Sequence, residues 1–267
     1  MPLQIKNGGV AKTTTVVNLG NSLARKGKRV LLIDLDPQGD LTASLGYKNP
    51  DNIEFTIKDL LEKQIQEYPI DKTEGILRSK EDVPFIPANI ELEALERTMV
   101  KYMSNEKVLR NYVNQIRENY DYILIDCRPS LGLLTINALA AADSVIIPVQ
   151  AQYLPLKGMT QLMQTIDKTR VQINPRLKIE GILLTIVDMK TTLAKATIEA
   201  LKSNYGSRIN IYKTIIPMGV KAAESTMEGK SVYAYDKKSK PAVAYEELAK
   251  EVLRNSERDK SRTARSR

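Results

Sequence analysis

The sequence predicts an α/β fold in which a mainly parallel β-sheet is flanked by helices on both faces. Short apolar runs alternate with segments of helical periodicity along most of the chain, which is the order of elements in parallel sheets. The runs are continuous and rich in β-branched residues, as is typical of strands buried on both faces. Two of them end in aspartate, and ligands of such sheets bind beyond the carboxyl ends of the strands.

Composition places the chain among ordinary globular proteins and excludes several kinds of chemistry. Its 267 residues predict a main domain over residues 1–255 and a short tail over 256–267. The lack of histidine excludes imidazole catalysis, and the single cysteine, Cys127, excludes an intramolecular disulfide and favours a reducing cytoplasm. No apolar run approaches the roughly 18 residues that cross a bilayer. The N-terminus lacks the apolar stretch of a secretory signal.

A glycine-rich turn opens the first predicted helix. Such a turn lets backbone N–H groups converge on phosphate oxygens, and a helix N-terminus adds a partial positive charge. Lys12 would reach the β- and γ-phosphates, and Thr13 would offer its hydroxyl to Mg²⁺. The pattern G-x-x-x-x-G-K-[ST] is met only in part, because Ala11 replaces the second glycine, and a plain loop is the alternative. The predicted phosphate-binding residues are Gly8, Gly9, Val10, Ala11, Lys12, Thr13 and Thr14.

The apolar run over residues 30–33 predicts the next strand, and it leads into a turn that carries several carboxylates. Asp34 and Asp36 enter this turn, and Gln38 follows them. Carboxylates at a strand end can orient water around Mg²⁺ or position an attacking nucleophile. The alternative is a strand-ending turn rich in Asp, Pro and Gly with no further role. Two carboxylates together with Gln38 favour the functional interpretation.

Helical segments and apolar runs continue to alternate further along the chain. Residues 66–88 interrupt them with a polar, proline-containing stretch, which predicts an excursion rather than a domain boundary. Helices are predicted over residues 53–64, 92–103, 108–118, 131–141, 158–171 and 192–203. The remaining strands are predicted at 122–125, 145–147, 181–187 and 211–216.

Asp126 ends the most strongly apolar run of the sequence. A carboxylate at this position of a nucleotide-binding sheet can organise a metal ion, whereas a lone aspartate after a strand is often only a helix cap. Lys12 and Thr13 upstream favour the metal interpretation. Cys127 lies next to Asp126, but the chain offers no histidine to activate its thiol, so a nucleophilic role is not expected.

Positive charge is concentrated at the C-terminus. The formal net charge is +8, and residues 254–267 contribute six Lys or Arg against one Glu and one Asp. Excess positive charge favours polyanions such as nucleic acid or anionic lipid, and a solvated tail that aids solubility is the alternative. From Ser256 onward the composition is almost free of apolar residues, which predicts a disordered tail.

Several blocks of sequence resemble the deviant Walker ATPases of the ParA/MinD group, and among these the partitioning ParA branch of chromosomes and plasmids. The resemblance spans nearly everything from Asn7 to about Leu253 and implies a P-loop NTPase-like fold. Its strongest blocks are Gly8–Thr14, Val30–Thr42 and Tyr120–Leu139. Shorter blocks follow in the family's order at Ile147–Gln150, Gly181–Thr185, Ile215–Pro217 and Tyr235–Lys240.

The resemblance implies an ATPase that binds ATP with Mg²⁺ and forms a homodimer on ATP, with the nucleotides sandwiched between its subunits. In that state the family binds double-stranded DNA without sequence specificity, and a ParB-type centromere-binding partner stimulates hydrolysis and releases the dimer. Carried over by motif, Lys12 holds phosphates and Thr13 ligates Mg²⁺. Asp36 organises the hydrolytic water and, with Asp126, the metal ion. Pro217 lies where the family approaches the adenine base.

For DNA binding, the resemblance points to basic residues after two of the predicted strands. Non-specific binding needs Lys and Arg side chains on one face of the dimer, with affinity that falls as salt rises. Scattered surface lysines are the alternative for each position, and the basic tail would add phosphate contacts. The candidates are Lys190, Lys221, Lys237, Lys238 and Lys240.

Two other branches of the group fit the sequence less well. The MinD type attaches to membranes through a C-terminal amphipathic helix, and here only Ala264 is hydrophobic after Leu253, so no membrane partner is expected. The iron–sulfur branch needs cysteines to hold a cluster, and Cys127 alone offers no such site.

Three positions depart from the family pattern. Asn7 stands where the family has a lysine that reaches the partner subunit's nucleotide, and the loss of that lysine would make hydrolysis slow. The alternative is that Lys6, one residue earlier, substitutes for it through a turn that slips by one residue. The first strand is expected to be very short or truncated, because only residues 1–6 precede the turn. Arg128 replaces the family's proline after Asp-Cys. These changes leave open a second interpretation, a nucleotide-dependent DNA-binding or regulatory module with little or no hydrolysis.

Overall fold

A single β-sheet runs through the computed structural model, which describes residues 2–3, 9–128, 130–151 and 156–265. Its strands are β1 (Pro2–Leu3), β2 (Val30–Leu35), β3 (Leu77–Arg78), β4 (Pro84–Ile86), β5 (Tyr122–Cys127), β6 (Ser144–Gln150), β7 (Lys178–Val187) and β8 (Ile211–Pro217). The order across the sheet is β3-β4-β2-β5-β1-β6-β7-β8. Of the described pairs, β3 and β4 are antiparallel and the others parallel. The predicted mainly parallel α/β fold is therefore confirmed.

Helices cover both faces of this sheet and connect most of the parallel strands. The helices α3 to α8 begin and end within a few residues of the predicted segments, whereas α2, α9, α10 and α11 were not predicted. The helices are α1 (Lys12–Arg25), α2 (Asp40–Ser44), α3 (Ile57–Ile65), α4 (Glu91–Met99), α5 (Val108–Ile116), α6 (Leu133–Ala141), α7 (Leu156–Gln172), α8 (Thr192–Tyr205), α9 (Val220–Met227), α10 (Val232–Tyr235) and α11 (Lys240–Arg265).

Consecutive residues of β2 point to opposite faces of the sheet, and each face meets its own layer of helices. Leu32 belongs to a buried cluster that includes Leu19 of α1 and Leu248 of α11. Leu31 and Ile33 belong to a second cluster, formed with side chains of α3, α4, α5 and α6. A third cluster joins β6 and β7 to α7 and α8. Because both faces are covered, the central parts of β2, β5 and β6 are apolar at consecutive positions, and this explains the continuous runs in the sequence.

The polar stretch over residues 66–88 was predicted to be an excursion, but it contributes strands to the sheet. Within it, β3 and β4 add two strands beside β2. Phe85 and Ile86 of β4 pair with β2 and are fully buried. This strand is three residues long and begins with Pro84, so its local pattern is too short to predict it. Pairing with a strand distant in sequence decides its conformation.

The first strand lies in the middle of the sheet. The described residues of β1, Pro2 and Leu3, pair with both β5 and β6. The expected length of this strand depends on residues 4–8, which lie outside the described residues. Three of the positions discussed above, Lys6, Asn7 and Gly8, lie outside the described residues.

The C-terminal segment is helical through residue 265, in place of the disordered tail expected over 256–267. Tyr245, Leu248 and Val252 anchor the first half of α11 in the core. A helix that is anchored by packing extends readily, because each further residue adds a hydrogen bond without a new nucleation step. After its first turn the sequence of α11 holds neither Gly nor Pro. In the described part of the chain, no helix combines the length and apolar character needed to cross a membrane.

Candidate nucleotide-binding site

The carboxyl ends of β2 and β5 meet the N-terminus of α1 at one edge of the sheet. Asp34 of β2 pairs in register with Asp126 of β5. Asp36 follows the end of β2, and Lys12 is the first residue of α1. The carboxylates of Asp126 and Asp36 both act on the Lys12 ammonium and oppose the fall in its pKa that burial causes. The fold therefore brings together Lys12, Asp36 and Asp126, which are far apart in sequence.

The turn before α1 is held in a left-handed conformation. Gly9 has φ 90°, which glycine adopts without penalty, and Ala11, the N-cap of α1, has φ 58°. A left-handed alanine costs roughly 1–2 kcal/mol, so its surroundings must hold it in place. Thr185 of β7 contributes, because its hydroxyl donates a 3.0 Å hydrogen bond to the carbonyl of the buried Val10.

The first turn of α1 offers an anion-binding end. The hydrogen bond from the N–H of Thr15 to the carbonyl of Ala11, at 2.9 Å, closes the first turn of the helix. The backbone N–H groups of Thr13 and Thr14 precede it and therefore cannot bond to a carbonyl within the helix. Such groups, together with the helix dipole, bind phosphate and other anions.

Thr13 and Asp126 form the shortest polar contact of the site. The Thr13 hydroxyl donates a 2.6 Å hydrogen bond to Oδ2 of Asp126. The other oxygen, Oδ1, is buried and has no hydrogen-bond partner among the described residues. A buried carboxylate oxygen without a partner is costly, and such exceptions call for an explanation such as an ion or a water.

Burial dominates the electrostatics of these acids. Burial raises the pKa of Asp126 to about 8, with a further contribution from Asp34, while the Thr13 hydroxyl and the charge of Lys12 lower it. Burial likewise raises the pKa of Asp34 to about 7. Adjacent buried carboxylates resist ionisation together unless a cation compensates them. A divalent cation at this position would restore their charged forms.

Asp34 is engaged in holding the turn that follows β2. Oδ2 accepts hydrogen bonds from the backbone N–H of Thr42 at 2.9 Å and from its hydroxyl at 2.7 Å. Oδ1 accepts from the N–H of Asp36 at 3.2 Å. The Thr42 hydroxyl in turn accepts from the N–H of Ala88, which ties this turn to the end of β4. Asp34 therefore holds the turn after β2 in place beside the predicted site residue Asp36.

Asp36 is buried, and the charges of two cations act on it. Its Oδ1 accepts a 3.1 Å hydrogen bond from the N–H of Gln38. Burial raises the pKa of Asp36, whereas the Gln38 N–H and the charges of Arg128 and Lys12 lower it. The influence of Arg128 exceeds that of Lys12. The residue that replaces the family's proline is thus a cation beside the carboxylate expected to organise water.

Glu96 is a site residue that the sequence analysis missed. Its Oε2 accepts a 3.0 Å hydrogen bond from Nη1 of Arg128, and its Oε1 accepts from the N–H of Leu134 at 3.1 Å. Glu96 lies on α4, and no local pattern marks it among the charged residues of that helix. Only the packing of α4 beside the end of β5 reveals its role.

The oxygen atoms of this site suit a Mg²⁺ ion that is also bound by phosphates and water, rather than a metal ion held by protein side chains alone. Within the described residues, no group of three or more acidic, thiol or imidazole side chains could hold an ion by itself. Mg²⁺ prefers oxygen ligands, keeps several waters and usually takes one or two protein ligands together with substrate phosphates. The Thr13 hydroxyl and the unpartnered Oδ1 of Asp126 suit that role.

The remaining predicted residues lie at the β7–β8 end of the sheet and at the start of α11. Pro217 ends β8, beside Val187 of β7. Lys221 is exposed but not isolated, since its Nζ lies 2.8 Å from Oε2 of Glu224 and 5.4 Å from the ring centroid of Tyr235. The other lysine candidates are exposed in the turn after β7 and around the junction of α10 and α11, at Lys190, Lys237, Lys238 and Lys240.

Comparisons with known proteins agree with this geometry. Residues 3–179 match the family model described as AAA domain (AAA_31). Over 250 residues, the chain is 45% identical to the sporulation initiation inhibitor protein Soj of Bacillus subtilis, covering 94% of this chain and 96% of Soj. It is 42% identical to the chromosome partitioning protein ParA of Myxococcus xanthus, covering 93% of this chain and 86% of that protein.

A solved structure shares the fold of this chain. The crystal structure of cobyrinic acid a,c-diamide synthase from Mycobacterium smegmatis, with a bound ATP analogue and magnesium, superimposes with a TM-score of 0.83. It is 34% identical and covers 96% of this chain and 94% of that one. The chain therefore belongs to the AAA domain family and, within it, to the partitioning ParA (Soj-like) branch of the ParA/MinD group of deviant Walker ATPases.

Proposed function

We propose that this protein is an ATP-dependent DNA-partitioning ATPase of the cytoplasm that associates with the nucleoid. It binds ATP with Mg²⁺, forms a homodimer on ATP and binds double-stranded DNA without sequence specificity. A ParB-type partner stimulates hydrolysis, which releases the dimer from DNA. One observation carries the proposal: at the N-terminus of α1, Thr13 is hydrogen-bonded to Asp126, whose second oxygen is buried without a partner.

The nucleotide part of the proposal follows from the chemistry of this edge. The N–H groups of the first turn of α1 and the ammonium of Lys12 would hold the phosphates. Thr13 and Asp126 would hold Mg²⁺, with Asp36 nearby to orient the attacking water. When bound, the ion neutralises charge that develops on the phosphate oxygens. Phosphoryl transfer needs positioning and electrostatic stabilisation rather than an imidazole, which suits a chain without histidine.

The DNA part rests on exposed cations near one end of the sheet. Lys190 follows β7, and Lys237 and Lys238 lie between α10 and α11, all of them exposed. Such cations bind the DNA backbone by releasing counterions, without reading the bases. The basic residues of the C-terminal segment would add to the same electrostatic attraction.

A second candidate function is a nucleotide-dependent DNA-binding module with little or no hydrolysis. Asn7, in place of the family's lysine, favours this candidate, because related enzymes gain about 10³ to 10⁵ in rate from a cation supplied in trans. Ala11, which stands at the second glycine of the general phosphate-binding pattern and is left-handed, adds to it.

ATP turnover decides between the two functions. We would measure hydrolysis by the full chain alone, with duplex DNA, and with DNA plus the cognate partner, and oligomer size with ADP, ATP and a slowly hydrolysed analogue. Stimulated turnover that disappears in Asp36→Ala but persists in Asp143→Ala supports the ATPase. Asp143 is an exposed aspartate at the opposite edge of the sheet, just before β6. ATP binding without turnover in every mixture supports the module, and no ATP binding overturns both.

A further inference from the structure

Arg128 occupies an unusual place for a cation. It directly follows β5, two residues after Asp126, at the edge of the sheet where the candidate site lies. Its side chain is 27% exposed, and its Nη1 lies 3.0 Å from Oε2 of Glu96. A guanidinium carries five N–H donors, and within the described residues Glu96 is its hydrogen-bond partner. Further donors therefore remain available toward the site.

Glu96 fixes the position of this guanidinium. Its own side chain is 16% exposed, and its second oxygen accepts from the N–H of Leu134 at the start of α6. The approach is close: a Cβ at Gly132 would lie 2.5 Å from Oε1 of Glu96. Any side chain at residue 132 would therefore displace the carboxylate. Glu96 is held by α4, the turn before α6 and Arg128 at once.

An ordinary surface ion pair on the same helix provides a contrast. Arg97 lies 3.6 Å from Glu93, one turn earlier on α4, with side chains 72% and 41% exposed. Pairs of that kind contribute about 0–1 kcal/mol and restrict neither partner strongly. The pair of Arg128 and Glu96 is less exposed and joins separate elements at the candidate site.

The charge of Arg128 acts on the residues of the site. Burial raises the pKa of Asp36, and Arg128 opposes that rise more than Lys12 does. Lys12 lies at the start of α1, where the phosphates would bind, whereas Arg128 directly follows β5. Two cations from different elements therefore act on the carboxylate of Asp36.

We infer that Arg128 is a catalytic residue of the proposed ATPase, with its guanidinium contacting the terminal phosphate, and that Glu96 is its positioning residue. This inference rests on the proposed function. In hydrolysis, water attacks the γ-phosphorus, and the bond from that phosphorus to the bridging oxygen breaks. The bond's electron pair stays on ADP, and a proton passes to solvent. A planar guanidinium matches phosphate oxygens bidentately, and an arginine supplied within the same chain stabilises the charge of this transition state in related GTPases.

Two measurements on the full chain test the inference. The first is kcat for stimulated ATP hydrolysis, and the second is the ratio of affinities for a slowly hydrolysed ATP analogue and ADP. Arg128→Ala should lower kcat by about 10² and reduce the preference for the analogue, with ADP affinity unchanged. Arg128→Lys should recover part of kcat and part of the preference for the analogue, because it keeps the positive charge but loses the bidentate donor geometry of the guanidinium. Arg97→Ala, on the same helix as Glu96, should match the wild type.

Glu96→Gln tests the positioning role. It keeps an acceptor for the N–H of Leu134 but loses the charge that holds Arg128, so an intermediate loss of kcat is expected. That loss should vanish when Arg128→Ala is already present, whereas a purely structural contribution would still lower the melting temperature and add to the loss of kcat.

The outcomes separate the inference from the proposed function. Wild-type kcat and a wild-type affinity ratio in both Arg128 variants would overturn the inference while leaving the ATPase intact. If the wild-type chain binds ATP but never hydrolyses it, the proposed ATPase fails. The ratio of analogue to ADP affinity still decides in that case whether Arg128 contacts the terminal phosphate. Should Arg128→Ala fail to fold, Arg128→Lys carries the same comparison.

Discussion

The 2.6 Å hydrogen bond from Thr13 to Asp126 leaves one oxygen of a buried carboxylate without a partner. Without a cation, burial favours the protonated form of Asp126, and with a cation the charged form is favoured. The residue that suits a magnesium–nucleotide complex is therefore a source of instability when that complex is absent. Strain of this kind is typical of functional sites, where local stability is given up for binding.

The raised pKa of Asp126 predicts a pH-dependent stability. Burial raises this pKa from 3.8 to about 8, so the folded protein holds a proton that the unfolded chain has already released. The stabilisation is fully present below about pH 4 and is lost as pH rises through about 8. We expect the free energy of unfolding, measured in urea without metal or nucleotide, to fall as pH rises from about 5 to about 8. This range lies between the pKa of Asp126 in the unfolded chain and its pKa in the folded protein.

Asp126→Asn is the variant that isolates this effect. It should flatten the fall with pH, though not completely, because Asp34 has a raised pKa of about 7 and contributes with the same sign. Near pH 8 the variant should be more stable than the wild type by roughly 1–3 kcal/mol, while binding of Mg²⁺ with ATP is lost. Parallel pH profiles for the two proteins would contradict the assigned cause.

Lys12→Ala should abolish nucleotide binding. Lys12 is the cation at the start of α1, and burial lowers its pKa. A bound anion would compensate its buried charge, so phosphate binding at this position is favourable. A charge-assisted hydrogen bond contributes about 1.5–3 kcal/mol, and more than one phosphate oxygen is within reach of an ammonium in such sites. Calorimetry with ATP and Mg²⁺ measures the loss, and Lys72→Ala, at an exposed lysine, is the control. ATP affinity equal to the wild type's would refute the assignment of Lys12.

Among the secondary-structure elements, α1 connects the phosphate-binding end to the C-terminal helices. Asn18 donates to the carbonyl of Thr14 at 2.7 Å, and its Oδ1 accepts from the N–H of Val232, the first residue of α10. The hydroxyls of Thr15 and Tyr245 of α11 lie 3.3 Å apart. Both contacts are buried or nearly so, and they tie the helix that would hold phosphate to the segment that carries the candidate DNA-binding lysines.

Asn18→Ala should loosen α10 from α1. The substitution leaves the N–H of Val232 buried without its partner, which predicts a loss of about 1–3 kcal/mol in the free energy of unfolding. The matched control is Asn21→Ala, because the amide of Asn21 donates within α1, to the carbonyl of Val17. Hydrogen exchange should show lower protection of Val232 in Asn18→Ala alone. Equal protection in both variants would show that the link does not hold α10.

Across the whole molecule, the electrostatics of DNA binding depend on which lysines have partners. Lys221 is paired with Glu224, and the hydroxyl of Tyr235 donates to the same carboxylate at 2.9 Å. Lys190 is exposed in the turn after β7, and its backbone N–H donates a 3.0 Å hydrogen bond to Oδ1 of Asp188. A DNA phosphate must therefore displace Glu224 to bind the ammonium of Lys221. Lys190 lies in an exposed turn, where DNA can approach it.

Lys221→Glu should weaken DNA binding while dimerisation on ATP is retained. The substitution reverses a charge beside Glu224 and creates a locally anionic surface that repels phosphate. Mobility shifts at several salt concentrations measure the effect, and neutralising one phosphate contact, as in Lys190→Ala, should reduce the salt slope by about 1. Lys72→Glu provides a control of equal charge change at an exposed site. An unaltered shift at low salt would remove Lys221 from the interface.

How far the sequence predicts this molecule depends on whether the deciding contacts are local. The strands β2 and β5 are recognisable because each carries a continuous apolar run up to its aspartate, and the turn over Gly9 and Ala11 is recognisable from its composition. β4 was missed because three residues carry too little pattern, and its pairing with β2 comes from a distant part of the chain. The helical C-terminus was missed because polarity alone does not prevent a helix that is anchored elsewhere.

By itself, the sequence determined the α/β class, the glycine-rich turn and the carboxylates at the ends of β2 and β5. Apolar periodicity and turn composition depend on neighbouring residues, so they can be recognised in the sequence. Only the tertiary structure decided what each carboxylate does. It engaged Asp34 with Thr42, left Asp126 with an unpartnered oxygen, and set Glu96 against Arg128. Those differences arise from burial and from contacts between residues far apart in the chain, and no local pattern encodes them.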